Sequence, residues 1–205
     1  MKKALIFTSF VQNLSRIHID SNEFDRVICA DGGLEIAKKL GISPDIPIGD
    51  YDSMQLPQNQ KIIKLPMEKN MTDSEAAIDF AISDGFNDIT VIGGIGGRFD
   101  HTMGNIGMLA KYLGRDKKLC IVDGNNKVFM LLPGSYIIHK SIYKYLGLIS
   151  YQIKCENLSV SGVKYPLEKY DLSDNTTLGV SNEILKESAE LSFTSGKLLV
   201  IQSND

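Results

Sequence analysis

The sequence predicts an α/β protein in two parts: an N-terminal α/β domain with a mostly parallel sheet, residues 1–125, and a C-terminal all-β, sandwich-like domain, residues 126–205. Three observations predict it. In the first part short apolar runs alternate with helical periodicity, the mark of βαβ units whose strands are covered on both faces. In the second, short strand-like segments succeed one another with turn dipeptides between them and no helical stripe. Between the two stands Asp123-Gly124-Asn125-Asn126, a run of turn formers.

Taken in order, residues 4–7, 27–29, 46–48, 62–63, 89–92 and 119–122 read as strands. Pro47 has no backbone N–H for a ladder, so the third of these is expected to be a strand end. Leu34, Ala37 and Leu40 mark one helix. Ala76, Ala77, Phe80 and Ala81 mark a second, and Met103, Ile106, Ala110 and Leu113 a third. In the second part residues 128–132, 135–139, 145–151, 158–160, 177–180, 189–193 and 197–202 read as strands. Pro133-Gly134, Ser161-Gly162 and Ser195-Gly196 read as turns between them.

With 43% hydrophobic and 23% charged residues the chain has the composition of a folded protein, not a disordered one. A net charge of -3 argues against a nucleic-acid binder. The basic runs Lys38-Lys39 and Arg115-Asp116-Lys117-Lys118 read as solvated surface. Cys29, Cys120 and Cys155 are widely spaced and odd in number, which is neither a disulfide framework nor a zinc site and fits a reducing cytoplasm. No apolar stretch approaches the roughly 20 residues of a membrane span, and the apolar run after Met1-Lys2-Lys3 is too short for a secretion signal.

The aspartates of the first part fall where strands end or helices begin: Asp31 before Gly32-Gly33, Asp50 and Asp52 around Tyr51, Asp73 at a helix start, and Asp100 ahead of the third helix. Loops at the carboxyl ends of parallel strands form the ligand crevice of an open α/β sheet. Asp50 and Asp52, two residues apart in an extended chain, place both carboxylates on one face with Cα atoms about 6.6 Å apart. At an effective dielectric near 20 such a pair repels by about 2.5 kcal/mol. A cation relieves that cost, and hard oxygen ligands with no Cys or His cluster point to Mg²⁺ bound together with substrate phosphates. Each aspartate also has a plainer reading. Asp31 suits a turn, Thr72-Asp73-Ser74-Glu75 is a capping box in which Asp73 complements the helix dipole, and Asp100 suits an N-cap. The joint placement on one sheet edge favours the metal reading.

Gly93-Gly94-Ile95-Gly96-Gly97-Arg98 lies between a strand and a helix, with neither P-loop nor GxGxxG spacing. Glycine amides and a helix start suit an anion, and Arg98 offers a planar fork to phosphate oxygens. His101 beside the helix start reads as orienting or structural rather than as a base. Lys69 is equally a phosphate contact or a solvated lysine.

These segments together resemble the thiamine pyrophosphokinase family. The matching residues are Ala30-Asp31-Gly32-Gly33, Pro44-Asp45, Gly49-Asp50-Tyr51-Asp52-Ser53, Lys69 with Thr72-Asp73, Gly96-Gly97-Arg98-Phe99-Asp100-His101-Thr102 with Asn105, Lys164-Tyr165-Pro166-Leu167 and Gly179-Val180-Ser181-Asn182-Glu183. The resemblance implies transfer of a pyrophosphoryl group from ATP to thiamine. It also implies a homodimer whose active sites are shared between subunits. It places Asp31, Asp50, Asp52 and Asp73 on Mg²⁺ and the triphosphate. Gly32, Gly33, Lys69, Arg98, Asp100 and His101 would attend the nucleotide, and Thr72, Ser181 and Asn182 the thiamine. Asp73, Asp50, Asp52 and Arg98 would be the catalytic set, with Asp73 orienting or deprotonating the hydroxyl. The turn after the first strand departs from the family: Thr8-Ser9-Phe10 stands where a glycine-rich turn is usual, so the resemblance gives no support for a nucleotide contact there. Tyr51 replaces a common phenylalanine, and with no tryptophan in the chain any aromatic partner of the thiazolium is Tyr or Phe. Rival readings are a diphosphokinase for a hydroxymethylpterin, a non-catalytic thiamine or nucleotide binder, and a Mg²⁺-dependent hydrolase.

Overall fold

The computed structural model describes residues 1–49, 63–64 and 70–205, with residues 63–64 described as backbone. Asp50, Asp52, Ile62 and Lys69 lie outside the described residues. The chain divides into two compact units, Met1–Tyr112 with Asp116–Gly124 and Leu113–Arg115 with Asn125–Asp205.

The first unit is a parallel sheet with helical crossovers. Its strands are β1 (Lys3–Phe7), β2 (Arg26–Ala30), β3 (Ile46–Gly49), β4 (Ile63–Lys64), β5 (Asp88–Ile92) and β6 (Lys118–Val122). They stand in the order β6-β5-β1-β2-β3-β4, every pairing parallel. Their apolar runs exist because both faces are covered: Ala4, Leu5, Ile6 and Phe7 of β1 are all fully buried. β3 is a strand with neighbours on both sides. Pro47 pairs with Cys29 of β2, and among the described residues the pairing with β4 begins at Ile48.

Helices α1 (Gly33–Lys39), α2 (Asp73–Ser83) and α3 (Phe99–Lys111) connect the strands. Leu34, Ile36 and Ala37 of α1 join Leu5, Phe7, Val27, Cys29 and Ile92 in one core cluster. α2 buries Ala76, Ala77, Ile78 and Ala81, and its N-cap Thr72 accepts from the Glu75 N–H at 3.2 Å as the capping box requires. The Glu75 carboxylate takes Lys111 of α3 at 2.8 Å. α3 starts earlier than its apolar stripe, so Asp100 lies in the first turn and the N-cap is Arg98. Its buried side chains are Thr102, Asn105, Met108 and Leu109, whereas Met103 is 47% exposed. Two buried polar residues on that face are the first structural sign of a site.

The second unit is a sandwich. One sheet runs β12 (Asn182–Glu183), β9 (Tyr145–Ser150), β14 (Leu198–Ser203), β7 (Asn126–Leu131), all antiparallel. The other runs β11 (Leu167–Leu172), β10 (Cys155–Ser161), β13 (Ser188–Phe193), β8 (Gly134–His139). Leu146, Leu148, Leu198 and Val200 of the first meet Leu158, Val160, Leu191 and Phe193 of the second in a single core, as alternating strands on two facing sheets must. Residues 177–180 are not a strand. The Val180 N–H bonds the Thr177 carbonyl at 3.1 Å, a tight turn, and Ser181 follows at φ 62.

Candidate active site

The order of the first sheet fixes where a ligand crevice opens. The chain leaves β1 for β2 on one side and leaves β5 for β6 on the other, so β1 and β5 flank the topological switch point. At their carboxyl ends lies a cleft of about 410 Å³, lined by Thr8, Ser9, Phe10, Ser74, Gly94, Gly96, Arg98, His101 and Asn105.

Its walls are tied together by buried polar bonds. The Thr8 N–H and Oγ1 both donate to the Ile92 carbonyl, each at 3.0 Å, stapling β1 to β5 beyond the last ladder pair. Asn105 Nδ2 donates to the Gly94 carbonyl at 2.6 Å. Thr102 Oγ1 accepts from the Gly96 N–H at 2.9 Å. These bonds explain why polar residues occupy the buried face of α3: they hold residues 93–97 against it. Gly93 must be glycine, since it sits at φ 91 and a Cβ there would fall 2.2 Å from the Phe10 carbonyl oxygen.

The glycine loop therefore differs from its sequence reading as an amide cradle. The Gly93 N–H donates to Val122, that of Gly94 to Phe10 and that of Gly96 to Thr102, so three of its amides hold the loop rather than an anion. Arg98 reaches over Asp100 in a two-pronged pair, Nε to Oδ1 at 3.2 Å and Nη2 to Oδ2 at 2.6 Å, and Asp100 Oδ1 also accepts from the His101 N–H at 2.9 Å. The hydrogen bond from Arg98 holds the Asp100 carboxyl below the usual carboxylate range, and the same bond raises the guanidinium. Both side chains are largely exposed, at 74% and 64%, so the guanidinium hydrogens that Asp100 does not take face solvent.

Asp31 follows β2 at φ 44, the left-handed region that an aspartate tolerates better than most residues. Its N–H donates to the Ile48 carbonyl at 2.9 Å, locking this turn to the end of β3. Behind it, Gly33 lets α1 approach β1; a Cβ would stand 2.1 Å from the Phe7 carbonyl oxygen. Gly32 lies against Ser9. Asp73 opens α2 next to Ser74, which lines the cleft. The structure thus brings Arg98 and His101 into the cleft with Ser74 of α2, and sets Asp31 and Asp73 on carboxyl-edge loops of the same sheet. Among the described residues no three acidic, His or Cys side chains form a metal cage by themselves. Burial pushes the Cys29 thiol up to about 12, which removes it as a nucleophile.

In the second unit Ser181 is exposed, while Asn182 is buried and its amide is engaged. Asn182 Oδ1 accepts from the Tyr165 N–H at 3.0 Å and Nδ2 donates to the Tyr165 carbonyl at 2.8 Å. Asn182 thereby fixes the segment that carries Lys164, which in turn pairs with Glu183 at 2.9 Å. Sequence reasoning missed Thr8, Ser9, Phe10 and Ser74 as cleft residues. The signal was present: they follow β1 and open α2, the same loop positions that singled out the aspartates.

A parallel sheet with its cleft at the switch point and acidic residues on that edge, followed in the chain by a β-sandwich, has the architecture that nucleotide-using α/β enzymes employ. Residues 20–121 match the family model described as thiamin pyrophosphokinase, catalytic domain, and residues 135–198 match that of thiamin pyrophosphokinase, vitamin B1 binding domain. The chain is 33% identical over 186 residues to thiamine pyrophosphokinase from Bacillus subtilis, covering 87% of each chain. The crystal structure of thiamine pyrophosphokinase from Bacillus subtilis superposes with a TM-score of 0.88 at 28% identity over the whole of both chains. That of the Geobacillus thermodenitrificans protein gives 0.86 at 28% identity, covering all of this chain and 98% of the other. The chain belongs to the thiamin pyrophosphokinase family.

Proposed function

We propose that this protein transfers the pyrophosphoryl group of ATP to the hydroxyl of thiamine, giving thiamine diphosphate and AMP, with Mg²⁺ as the cation. The observation that carries the reading is the pairing, in one chain, of a match to a catalytic domain over residues 20–121 with a match to a vitamin B1 binding domain over residues 135–198.

The donor set fits a hard cation: Asp31 and Asp73 offer carboxylate oxygens from the sheet's carboxyl edge, with no thiol or imidazole beside them in the motif. Asp50 and Asp52 join them by sequence position, and Lys69 is assigned to phosphate on the same ground. Mg²⁺ bound there supplies charge neutralisation to the triphosphate. Arg98 holds phosphate oxygens through the guanidinium hydrogens that Asp100 leaves, positioned by Asp100 and flanked by His101. Asp73 orients the attacking hydroxyl toward the β-phosphorus, and AMP leaves in line. Gly32 and Gly33 keep the Asp31 turn close to the end of β1. Thr72 and Ser181 contact thiamine, while Asn182 positions the segment around Tyr165. Such a reaction depends on positioning and electrostatics rather than on a covalent intermediate. The reading includes a cytoplasmic homodimer whose active sites take residues from both subunits. Among the described residues no helix is long and apolar enough to cross a membrane.

The test is AMP formation from Mg-ATP with thiamine, with a hydroxymethylpterin or with no acceptor, each repeated with EDTA. AMP matched by thiamine diphosphate, and only with thiamine and metal, is the expected result. AMP with the pterin alone replaces the acceptor; none with either moves the protein to a binding role.

A further inference from the structure

Phe10 is the least expected member of the cleft. It lies ahead of the segment matched by the catalytic family model, in the turn where the chain departs from the glycine-rich pattern. Its backbone is fixed, because its carbonyl accepts from the Gly94 N–H at 2.8 Å. Its ring rests on the glycine loop: a Cβ on Gly97 would meet ring carbons at 3.3 Å, and one on Gly96 would meet Cε1 at 3.1 Å. Even so Phe10 is 42% exposed, and it lines the cleft together with Arg98. A rigidly backed aromatic surface, open on a cleft, is a surface for another planar group.

We propose that the Phe10 ring is the platform on which the base of the nucleotide stacks. The inference rests on the nucleotide-transfer reading above. Three observations favour the base over the thiamine rings as the occupant. The cleft lies at the switch point between β1 and β5, where such sheets take nucleotides. Arg98, whose fork suits phosphate, lines the same cleft. No residue of the cleft falls in the span 135–198 matched to vitamin B1 binding.

Stacking needs a π-face, not merely bulk, so Phe10→Leu and Phe10→Tyr separate the two. In steady-state assays with ATP varied, Phe10→Leu raises KM for ATP roughly tenfold, with kcat little changed, and Phe10→Tyr restores it. Inorganic triphosphate, which has no base, serves as the internal control: its Ki against ATP is the same in all three proteins. An unchanged KM in Phe10→Leu overturns the proposal. So does an equal loss for ATP and inorganic triphosphate, which marks mere packing, or a rise confined to the KM for thiamine. Should the wild-type protein form no AMP, the transfer reading fails instead. Equilibrium dialysis of AMP against wild type and Phe10→Leu then decides the stacking on its own, with equal affinity overturning it.

Discussion

Arg98 and Asp100 make a geometrically good ion pair at a place where ion pairs contribute little to stability, in open solvent. Its value lies in aim: Asp100 takes two guanidinium hydrogens and holds the fork in one plane over the cleft. Arg98→Lys keeps the charge and loses the plane, so kcat/KM for ATP is expected to fall about tenfold while KM for thiamine stays put. Unaltered kcat/KM would detach Arg98 from the nucleotide. The pH dependence has a definite sign. Because the Asp100 pKa is lowered in the folded protein, the pair is intact at neutral pH and is lost only as pH falls through that lowered value. Activity lost on mild acidification therefore has another source, and Asp100→Asn is expected to leave that acid limb where it is. Gly33 acts at the same scale but through sterics. With the Phe7 backbone oxygen 2.1 Å from a would-be Cβ, Gly33→Ala must push α1 off β1. A loss of about 1–3 kcal/mol in urea unfolding is expected, and a wild-type midpoint would mean that the helix start can move freely.

At the scale of elements, the proposed role of Thr72 gives one residue two tasks. As N-cap of α2 its hydroxyl oxygen accepts from Glu75, which leaves the hydroxyl hydrogen for a substrate. Thr72→Asp keeps the cap and removes that donor; Thr72→Ala removes both. The alanine variant is expected to lose about 1 kcal/mol of stability, and the aspartate variant to keep it, while both raise KM for thiamine. A normal KM in the aspartate protein would reduce Thr72 to a cap. Elements of this kind are legible in the sequence because their signals are local: a cap, a buried apolar run, a helical stripe. β11 is not, because Glu168, Lys169, Tyr170 and Asp171 of this edge strand are exposed and polar. Residues 177–180 mislead in the opposite direction, their β-branched and apolar side chains sitting in a turn. The apolar stripe of α3 points to Met103, but the working face of the helix carries Thr102 and Asn105, selected by bonds to the glycine loop that no periodicity encodes. For the same reason the loop's glycines are visible in the sequence while the destinations of their amides are not.

The whole molecule is two units written in different periodicities, helical between apolar runs in one and alternating in the other. In the proposed homodimer, the pairing of one copy's first unit with either copy's second unit is set by assembly, not by periodicity. The proposal of sites shared between subunits makes a quantitative prediction here. Asp31→Asn damages only the nucleotide side, and Asn182→Ala releases the Tyr165 segment and damages only the acceptor side. Each homodimer is expected to be inactive. When both chains are co-expressed with different tags and the doubly tagged species is isolated, one of its two sites combines an intact catalytic unit with an intact partner sandwich. That heterodimer is expected to recover about half of the wild-type activity per dimer, because a two-fold arrangement builds two equivalent sites. If each chain instead builds its own site, both sites of the heterodimer carry one lesion and no activity returns. An active chain that elutes as a monomer at assay concentration would exclude shared sites before any mixing, since a shared site needs the second copy.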